Sequence, residues 1–493
     1  MAQRATTARR WLTLLGIPVL AWIAVMAWSF SSPVGSSPDD DFHLAAIWCG
    51  LGERPGLCEA VDNSPARAVP APIVHATCYA FHPDRDASCW KPGQPGMAVA
   101  ERANADGLYP KFFYAAMSIF ASPDVQVSVL VMRGVSAAFL IGLLTATFHA
   151  LPRALRPAQL ISVIGTVVPL GLFILGSNNP SSWAIVSAAA VWVTVYGTTL
   201  TTGRRRVVLA ALAVLATLVG AGARADAAIF AVFGAAVGLW LGVRGVRRQL
   251  IALGTGAAIL VLSLALYFSA GQSGAAVTGL DPSAPPLNLS AHVANLLNIP
   301  LLWTGAFGQW NLGWLDTPLP AVVWFAATAV FTGAIFVGLR GATPRRMTAF
   351  IIAGAAAWLV PFVLLAQTNA TVGSMVQPRY VLPLLVILLG VASLRSDAER
   401  AWDGARYGVA ASALTIAVAF SLHQNMRRYT TGLDDPGLDP GQGARWWWAG
   451  APSPMFVWIV GVVAFAGVLT LLWFAKERGA LTAGDTAARP AIP

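Results

Sequence analysis

A chain of 493 residues that is 56% hydrophobic and 11% charged, with a mean hydropathy of +0.64, is not a soluble enzyme; soluble domains carry roughly twice that charged fraction. The net charge of +10 does not indicate nucleic acid, because the basic residues sit in short clusters between apolar runs and form no stripe interleaved with exposed aromatics. Apolar runs of about 20 residues recur along the whole length, each enough to cross about 30 Å of hydrocarbon, so the expected fold is an all-α polytopic membrane protein forming a single domain over residues 1–493.

In chain order, Arg4, Arg9 and Arg10 precede an apolar stretch too long for a signal-peptide core. Ser-Ser-Pro follows it in place of a small-x-small cleavage site, so 11–30 reads as a retained first helix. Apolar runs and basic punctuation together give twelve spans, about 11–30, 126–149, 159–177, 182–201, 207–223, 226–243, 249–269, 318–339, 348–367, 378–394, 407–423 and 455–475. Started from the cytoplasm, this arrangement puts most Lys and Arg in the short cytoplasmic segments and most Asp and Glu on the far side, as the positive-inside rule expects. Both termini are then cytoplasmic, with a disordered tail at 479–493.

The outer side carries one long loop, about 31–125, and shorter ones near 270–317, 368–377 and 424–454. The long loop holds Cys49, Cys58, Cys78 and Cys89, and an even count confined to the extracytoplasmic side favours disulfides. Of the three possible pairings, the sequential one (Cys49–Cys58 with Cys78–Cys89) closes the shortest loops. A metal site built from these thiols with His75 or His82 lacks the C-x-x-C spacing of zinc sites. Residues 109–117 are aromatic but too short to span and read as a re-entrant or interface-lying helix. The Gly-, Ser- and Pro-rich stretch 271–290 reads as a flexible loop.

Residues 36–43, Ser-Ser-Pro-Asp-Asp-Asp-Phe-His, place three carboxylates and an imidazole beside the membrane. Ser37 suits an N-cap, Pro38 the first helical position, and Asp39 and Asp40 the first turn of a helix over 38–51, where acids offset the helix dipole. The same helix sets His43 four residues after Asp39 and three after Asp40, so one face offers carboxylate plus imidazole for general-base chemistry. Both readings stand on the residues alone.

Arg224 and Asp226 lie at the outer edge between two spans, either as a local ion pair or with the arginine free to grip a lipid phosphate. Arg379, beside Tyr380, has no acid near it in sequence; it either snorkels to water or binds an anionic head group. Arg133, early in the second span, carries less signal than these two. Asn178 and Asn179 form an outer turn whose amides could bond hydroxyls, although Asn-Pro is also ordinary turn chemistry. Asp316, in the tryptophan-rich segment 310–320, is a second candidate site carboxylate, with helix capping as the alternative. Trp446–Trp448 suit membrane anchoring.

Three of these segments carry a resemblance: Pro38-Asp39-Asp40-Asp41-Phe42-His43, Gly313-Trp314-Leu315-Asp316-Thr317-Pro318-Leu319-Pro320, and Gln377-Pro378-Arg379-Tyr380-Val381-Leu382-Pro383. In order and spacing, over roughly 30–395, the chain resembles a domain-of-unknown-function family of bacterial multi-pass membrane proteins grouped with the GT-C glycosyltransferase superfamily. The 109–114 piece looks like a looser form of that family's Pro-Pro-Leu-Tyr-Tyr segment. The resemblance implies a GT-C-like fold in a bacterial plasma membrane, with juxtamembrane helices in the first outer loop. It also implies a polyprenyl-phosphate sugar donor, a cell-wall glycan or lipid acceptor, and an inverted product. By position, Asp39 and Asp40 take the place of the family's acidic pair, with His43 beside them; Asp40 stands where the family usually has Glu.

The expected mechanism has Asp40 or Asp39 deprotonating an acceptor hydroxyl while Arg379 and Arg224 stabilise the departing phosphate. A Mg²⁺ or Mn²⁺ ion could share the two carboxylates. Membrane lipids are the expected surroundings and nucleic acid is not a partner. The rival readings are a lipid or glycan transporter, which would need polar groups and broken helices near the midplane, and a non-catalytic scaffold for envelope assembly.

Overall fold

The computed structural model describes residues 2–477 apart from 63, 275–277 and 282, with side chains from Leu15 onward. The expected tail at 479–493 lies outside the described residues. Among the described residues, eight helices are long and apolar enough to cross a membrane: Val125–Ala150, Ser181–Leu200, Ala225–Gly242, Leu250–Phe268, Ala321–Leu339, Pro344–Thr368, Gly404–Thr430 and Pro454–Glu477. The first helix, Ala2–Phe30, packs against Val125–Ala150 and Pro454–Glu477, and Gly203–Ala221 packs against Ser181–Leu200. This is a multi-pass membrane protein.

Several expected elements differ. The span expected at 159–177 is broken into Arg156–Ile164 and Leu170–Leu175. Pro169 has no N–H to continue a helix and disfavours helical geometry at Val168 before it. The span expected at 378–394 is a short 3-10 turn, Pro378–Tyr380, followed by the α-helix Leu382–Ala392, whose 11 residues rise about 16 Å. Every residue of that helix is buried, packed by Ser181–Leu200, Pro344–Thr368 and Arg156–Ile164. Its apolarity reflects enclosure by protein, which periodicity cannot tell from contact with lipid. The stretch expected as a loop at 270–317 contains the helix Leu289–Thr304, started by the Asn288 side chain accepting the Ala291 amide at 2.9 Å. The last-but-one long helix runs seven residues past its expected end at 423, to Thr430, and brings Arg427 and Arg428 to the loop end.

Residues 31–124 form a compact unit on one end of the bundle. It contains an antiparallel sheet that an all-α expectation omitted: β1 (Glu59–Ala60), β2 (Arg67–Pro70) and β3 (Met97–Ala100) in that order, with Arg67 opposite Ala100 and Val69 opposite Ala98. The expected disulfides, Cys49–Cys58 and Cys78–Cys89, are both formed. The expected juxtamembrane helices are Asp40–Trp48 and Lys111–Ser118, packed on each other.

Polar anchors fix this unit to the bundle. Arg133 is buried, and its guanidinium donates to the carbonyls of Ser29, Ser32 and Pro33 at 2.8, 2.5 and 2.9 Å. It thereby satisfies the carbonyls left open where the first helix ends. Asn425 donates to the hydroxyls of Ser31 and Ser32 at 2.8 and 2.9 Å. Gly35 turns the chain at φ 87, and a Cβ there would lie 2.3 Å from the Ala76 carbonyl oxygen; only glycine fits. Arg428 joins Asp316 at 2.6 Å with both side chains out of solvent, and it donates at 2.8 Å to the carbonyl of Tyr79. Removing one partner of such a pair leaves the other charge buried and unmatched. Arg428→Ala should therefore destabilise the fold by about 3–5 kcal/mol; thermal unfolding of purified wild type and variant in one detergent checks this.

Candidate functional site

The helix Asp40–Trp48 begins two residues later than capping rules suggest, and neither Ser37 nor Pro38 takes its expected place. Asp39 is the residue before the first helical turn and adopts φ 62, ψ 20, a left-handed conformation that costs a non-glycine residue roughly 1–2 kcal/mol. Its carbonyl accepts the amides of Phe42 and His43 at 3.0 and 2.8 Å, while its side chain makes no capping bond. The carboxylate turns instead to Arg379, whose Nη2 approaches Asp39 Oδ2 at 2.5 Å. Arg379 is 2% exposed and Asp39 32%, so the pair is closed on the arginine side and open on the aspartate side.

Arg379 also donates to the Tyr380 hydroxyl at 3.2 Å and to the side-chain oxygen of Gln377. Arg224 is held bidentately by Asp226 (Nε–Oδ1 2.9 Å, Nη2–Oδ2 2.8 Å), the local ion pair expected from their spacing. Both guanidinium carbons lie 4.9 Å from the Tyr380 ring centroid, and that of Arg224 lies 5.8 Å from Tyr109. Two cations thus share one aromatic ring, with Asp39 in contact with Arg379.

His43 forms the inner wall. Its Nδ1 is 2.9 Å from the Tyr114 hydroxyl, and its ring packs edge-on to Tyr109 at 5.3 Å. Burial, assisted by Arg379 and Arg224, pushes its pKa down to about 3, so the imidazole is neutral at physiological pH. Asp40, next to Asp39, points the other way. It is 1% exposed and accepts the Ser37 amide at 3.1 Å. Burial pushes its pKa up to about 7, against the opposing pull of Arg133 and the Ser37 amide. Burial also works to raise Asp39, but Arg379 beside it, helped by Arg224, outweighs burial and holds it below the usual carboxylate value. One carboxylate is therefore ionised and reachable, the other enclosed and only partly ionised near pH 7.

The remaining candidates have supporting places. Asn179 is fully buried; its amide donates to the Ser37 hydroxyl at 3.1 Å and the Pro38 carbonyl at 3.0 Å, and its oxygen accepts the Ser181 amide at 2.9 Å. With both amide N–H groups used, it positions the turn before Asp39. Asp316 makes its bonds to Arg428, Thr317 and the Phe81 amide. Sequence places Tyr109 and Tyr114 only in an aromatic helix; their contact with His43 is tertiary. Among the described residues, no three His, Cys, Asp or Glu side chains gather as a metal site would need. Of the two carboxylates expected to share a Mg²⁺ or Mn²⁺ ion, Asp39 is engaged by Arg379 and Asp40 is enclosed against the Ser37 amide.

Residues 22–388 match the family described as predicted membrane protein (DUF2142). The chain belongs to this family. The match takes in the Asp39 turn, Arg224 and Arg379, and thus the whole charged cluster. No curated protein and no solved structure matches the chain.

The environment of Asp40 gives this family member a specific pH signature. The folded protein keeps a proton that the unfolded chain releases near the ordinary value of 3.8. Asp40 therefore lowers stability progressively as pH rises from about 4 through 7, and the loss is complete above that. Asp40→Asn should remove this component, so that melting temperatures at pH 5.5 and pH 8 lie closer together in the variant than in the wild type. The free-energy difference removed between those two pH values is about 2 kcal/mol.

Proposed function

We propose that the protein is a membrane glycosyltransferase of GT-C type that moves a sugar from a polyprenyl-phosphate donor to a cell-envelope acceptor on the outer face, with inversion. The outward placement of the loop end rests on the Lys and Arg bias of the opposite segments, and the GT-C assignment rests on the resemblance of the three motifs. The observation that carries the chemistry is the 2.5 Å contact between Asp39 and Arg379, residues 340 apart in sequence, with Arg224 on the same tyrosine ring.

The geometry suits the reaction in a definite order. A donor phosphate presents two or more anionic oxygens to Arg379 and to the Nη1 of Arg224, which is held only loosely by the Ser181 hydroxyl at 3.4 Å. As Arg379 turns to the phosphate, Asp39 loses the charge that depresses its pKa and becomes a stronger base. Asp39 then takes the acceptor hydroxyl proton. The acceptor oxygen bonds to the anomeric carbon, and the bond from that carbon to phosphate breaks, its electron pair leaving on the phosphate oxygen between the two guanidinium groups. Neutral His43, fixed by Tyr114, walls the site without competing for the proton. No step is assigned to a metal.

The broken segment, Arg156–Ile164 followed by Leu170–Leu175, favours a second reading as a lipid or glycan transporter, since interrupted helices line many transport sites. Against it, the hydroxyls of Ser162 and Thr166 and the amide of Gln159 are engaged by backbone carbonyls, and no acid lies in the break. Purified protein incubated with polyprenyl-phosphate sugars and envelope acceptors should release polyprenyl phosphate. Asp39→Asn should lower the rate about 10²–10⁴-fold, whereas Asp40→Asn should retain most of it. Equal rates in wild type and Asp39→Asn would remove the reading. Translocation of the intact lipid without bond cleavage would favour the transporter.

A further inference from the structure

Phe81 stands in a backbone conformation that phenylalanine rarely adopts, φ 64, while its side chain is 67% exposed. A bulky residue held there is strained, and an exposed ring recovers little of that cost through burial. The surroundings fix it nonetheless. The buried Asp316 carboxylate accepts the Phe81 amide at 3.1 Å and is itself paired to Arg428. Arg428 also braces the same loop through the carbonyls of Tyr79 and Arg85, at 2.8 and 2.5 Å.

The ring meets Trp314 at a centroid distance of 5.3 Å, with the planes 63° apart. Trp314 comes from an equally constrained turn. Asn311, Gly313 and Leu315 all have positive φ, and a Cβ on Gly313 would fall 2.6 Å from the Tyr429 hydroxyl. The indole N–H of Trp314 donates to the Gly35 carbonyl at 2.8 Å, at the start of the turn that delivers Asp39. At the other end of the same segment, Gly305 packs on Pro378, next to Arg379. The aromatic pair is therefore built onto both halves of the charged cluster.

Exposed aromatics beside a membrane often anchor in the bilayer, but the setting here is wrong for that. Phe81 is followed by exposed His82, Pro83, Asp84 and Arg85, and a bilayer-inserted tip is apolar on both sides of its leading ring. An isolated ring amid polar groups suits a ligand that has an apolar face and hydroxyls at its edge. We infer that Phe81 and Trp314 form a stacking platform for a pyranose ring of the acceptor glycan, held beside the Asp39–Arg379 site by the Asp316–Arg428 pair. The inference rests on the glycosyl-transfer reading for the identity of the acceptor, and on the strained geometry for the platform itself.

Phe81→Gly is the informative variant, because glycine relieves the strain while removing the ring; Phe81→Asn, which also tolerates the left-handed region, repeats the test if the glycine form expresses poorly. Saturation-transfer NMR of protein in nanodiscs with cellotriose, chitotriose and mannotriose should show transfer to the ring protons of at least one trisaccharide. That transfer should fall about fivefold in the variant, the loss expected for one aromatic contact, with the melting temperature unchanged or raised. A lower melting temperature with undiminished trisaccharide signal would mean a packing role and overturn the inference. So would quenching of a bimane label at Phe81→Cys by brominated acyl chains, which would place the ring in lipid. Trisaccharide binding that depends on Phe81 without consumption of any donor would leave the platform standing and remove glycosyl transfer. Donor consumption with an unchanged acceptor KM in Phe81→Gly would remove the platform alone.

Discussion

The contact between Asp39 and Arg379 governs the architecture around it. A guanidinium 2% exposed at the edge of a membrane bundle is costly without an anion, and its own sequence neighbourhood supplies none. The anion comes from a residue 340 positions earlier, and it reaches only because Asp39 takes a left-handed conformation that frees its side chain from the helix it begins. Asn179 steadies the turn before it and Tyr380 lies against the guanidinium behind it. Each supporting feature makes sense as a condition for that one meeting.

Arginine is used four ways in the interior, and the differences are physical. Arg133 has no acid within hydrogen-bond reach and is matched by the open carbonyls of a helix end, with the Asp40 charge as a more distant balance. Arg224 is saturated by a local carboxylate and keeps one nitrogen nearly free. Arg428 combines a distant carboxylate with two carbonyls and acts as a rivet. Arg379 has a partner that is partly in solvent. Like Arg224, whose partner Asp226 is 29% exposed, it has a counter-charge that an incoming anion could replace without first opening a fully enclosed pair.

Much of this was legible in the sequence, and the failures share a cause. Long lipid-facing helices announce themselves by length and composition, and charge-free runs such as Leu250–Phe268 fell where expected. The acidic turn, the Arg224–Asp226 pair and both disulfides follow from local spacing. What sequence misjudged depends on enclosure. Leu382–Ala392 is as apolar as a span because helices surround it, and Asn179 and Asp316 are buried with partners distant in sequence. Asp39 and Asp40 are chemically identical neighbours, and only the fold makes one accessible and the other enclosed. Tyr114 could not be tied to His43 from a separation of 71 residues.

The riveting of the 31–124 unit bears on the order in which the molecule can be completed. That unit leaves the ribosome early, yet the groups that seat it are made late: Arg379, Asn425, Arg428, and Trp448, whose indole bonds the Phe30 carbonyl. Until roughly three hundred further residues (from 124 to 428 and 448) have been synthesised and inserted, the unit lacks both the Arg428 bonds and its indole clasp. Arg224 and Arg379 both precede the final two long helices, so a chain interrupted before those helices would keep the Asp39 pair and lose the Arg428 partner of Asp316.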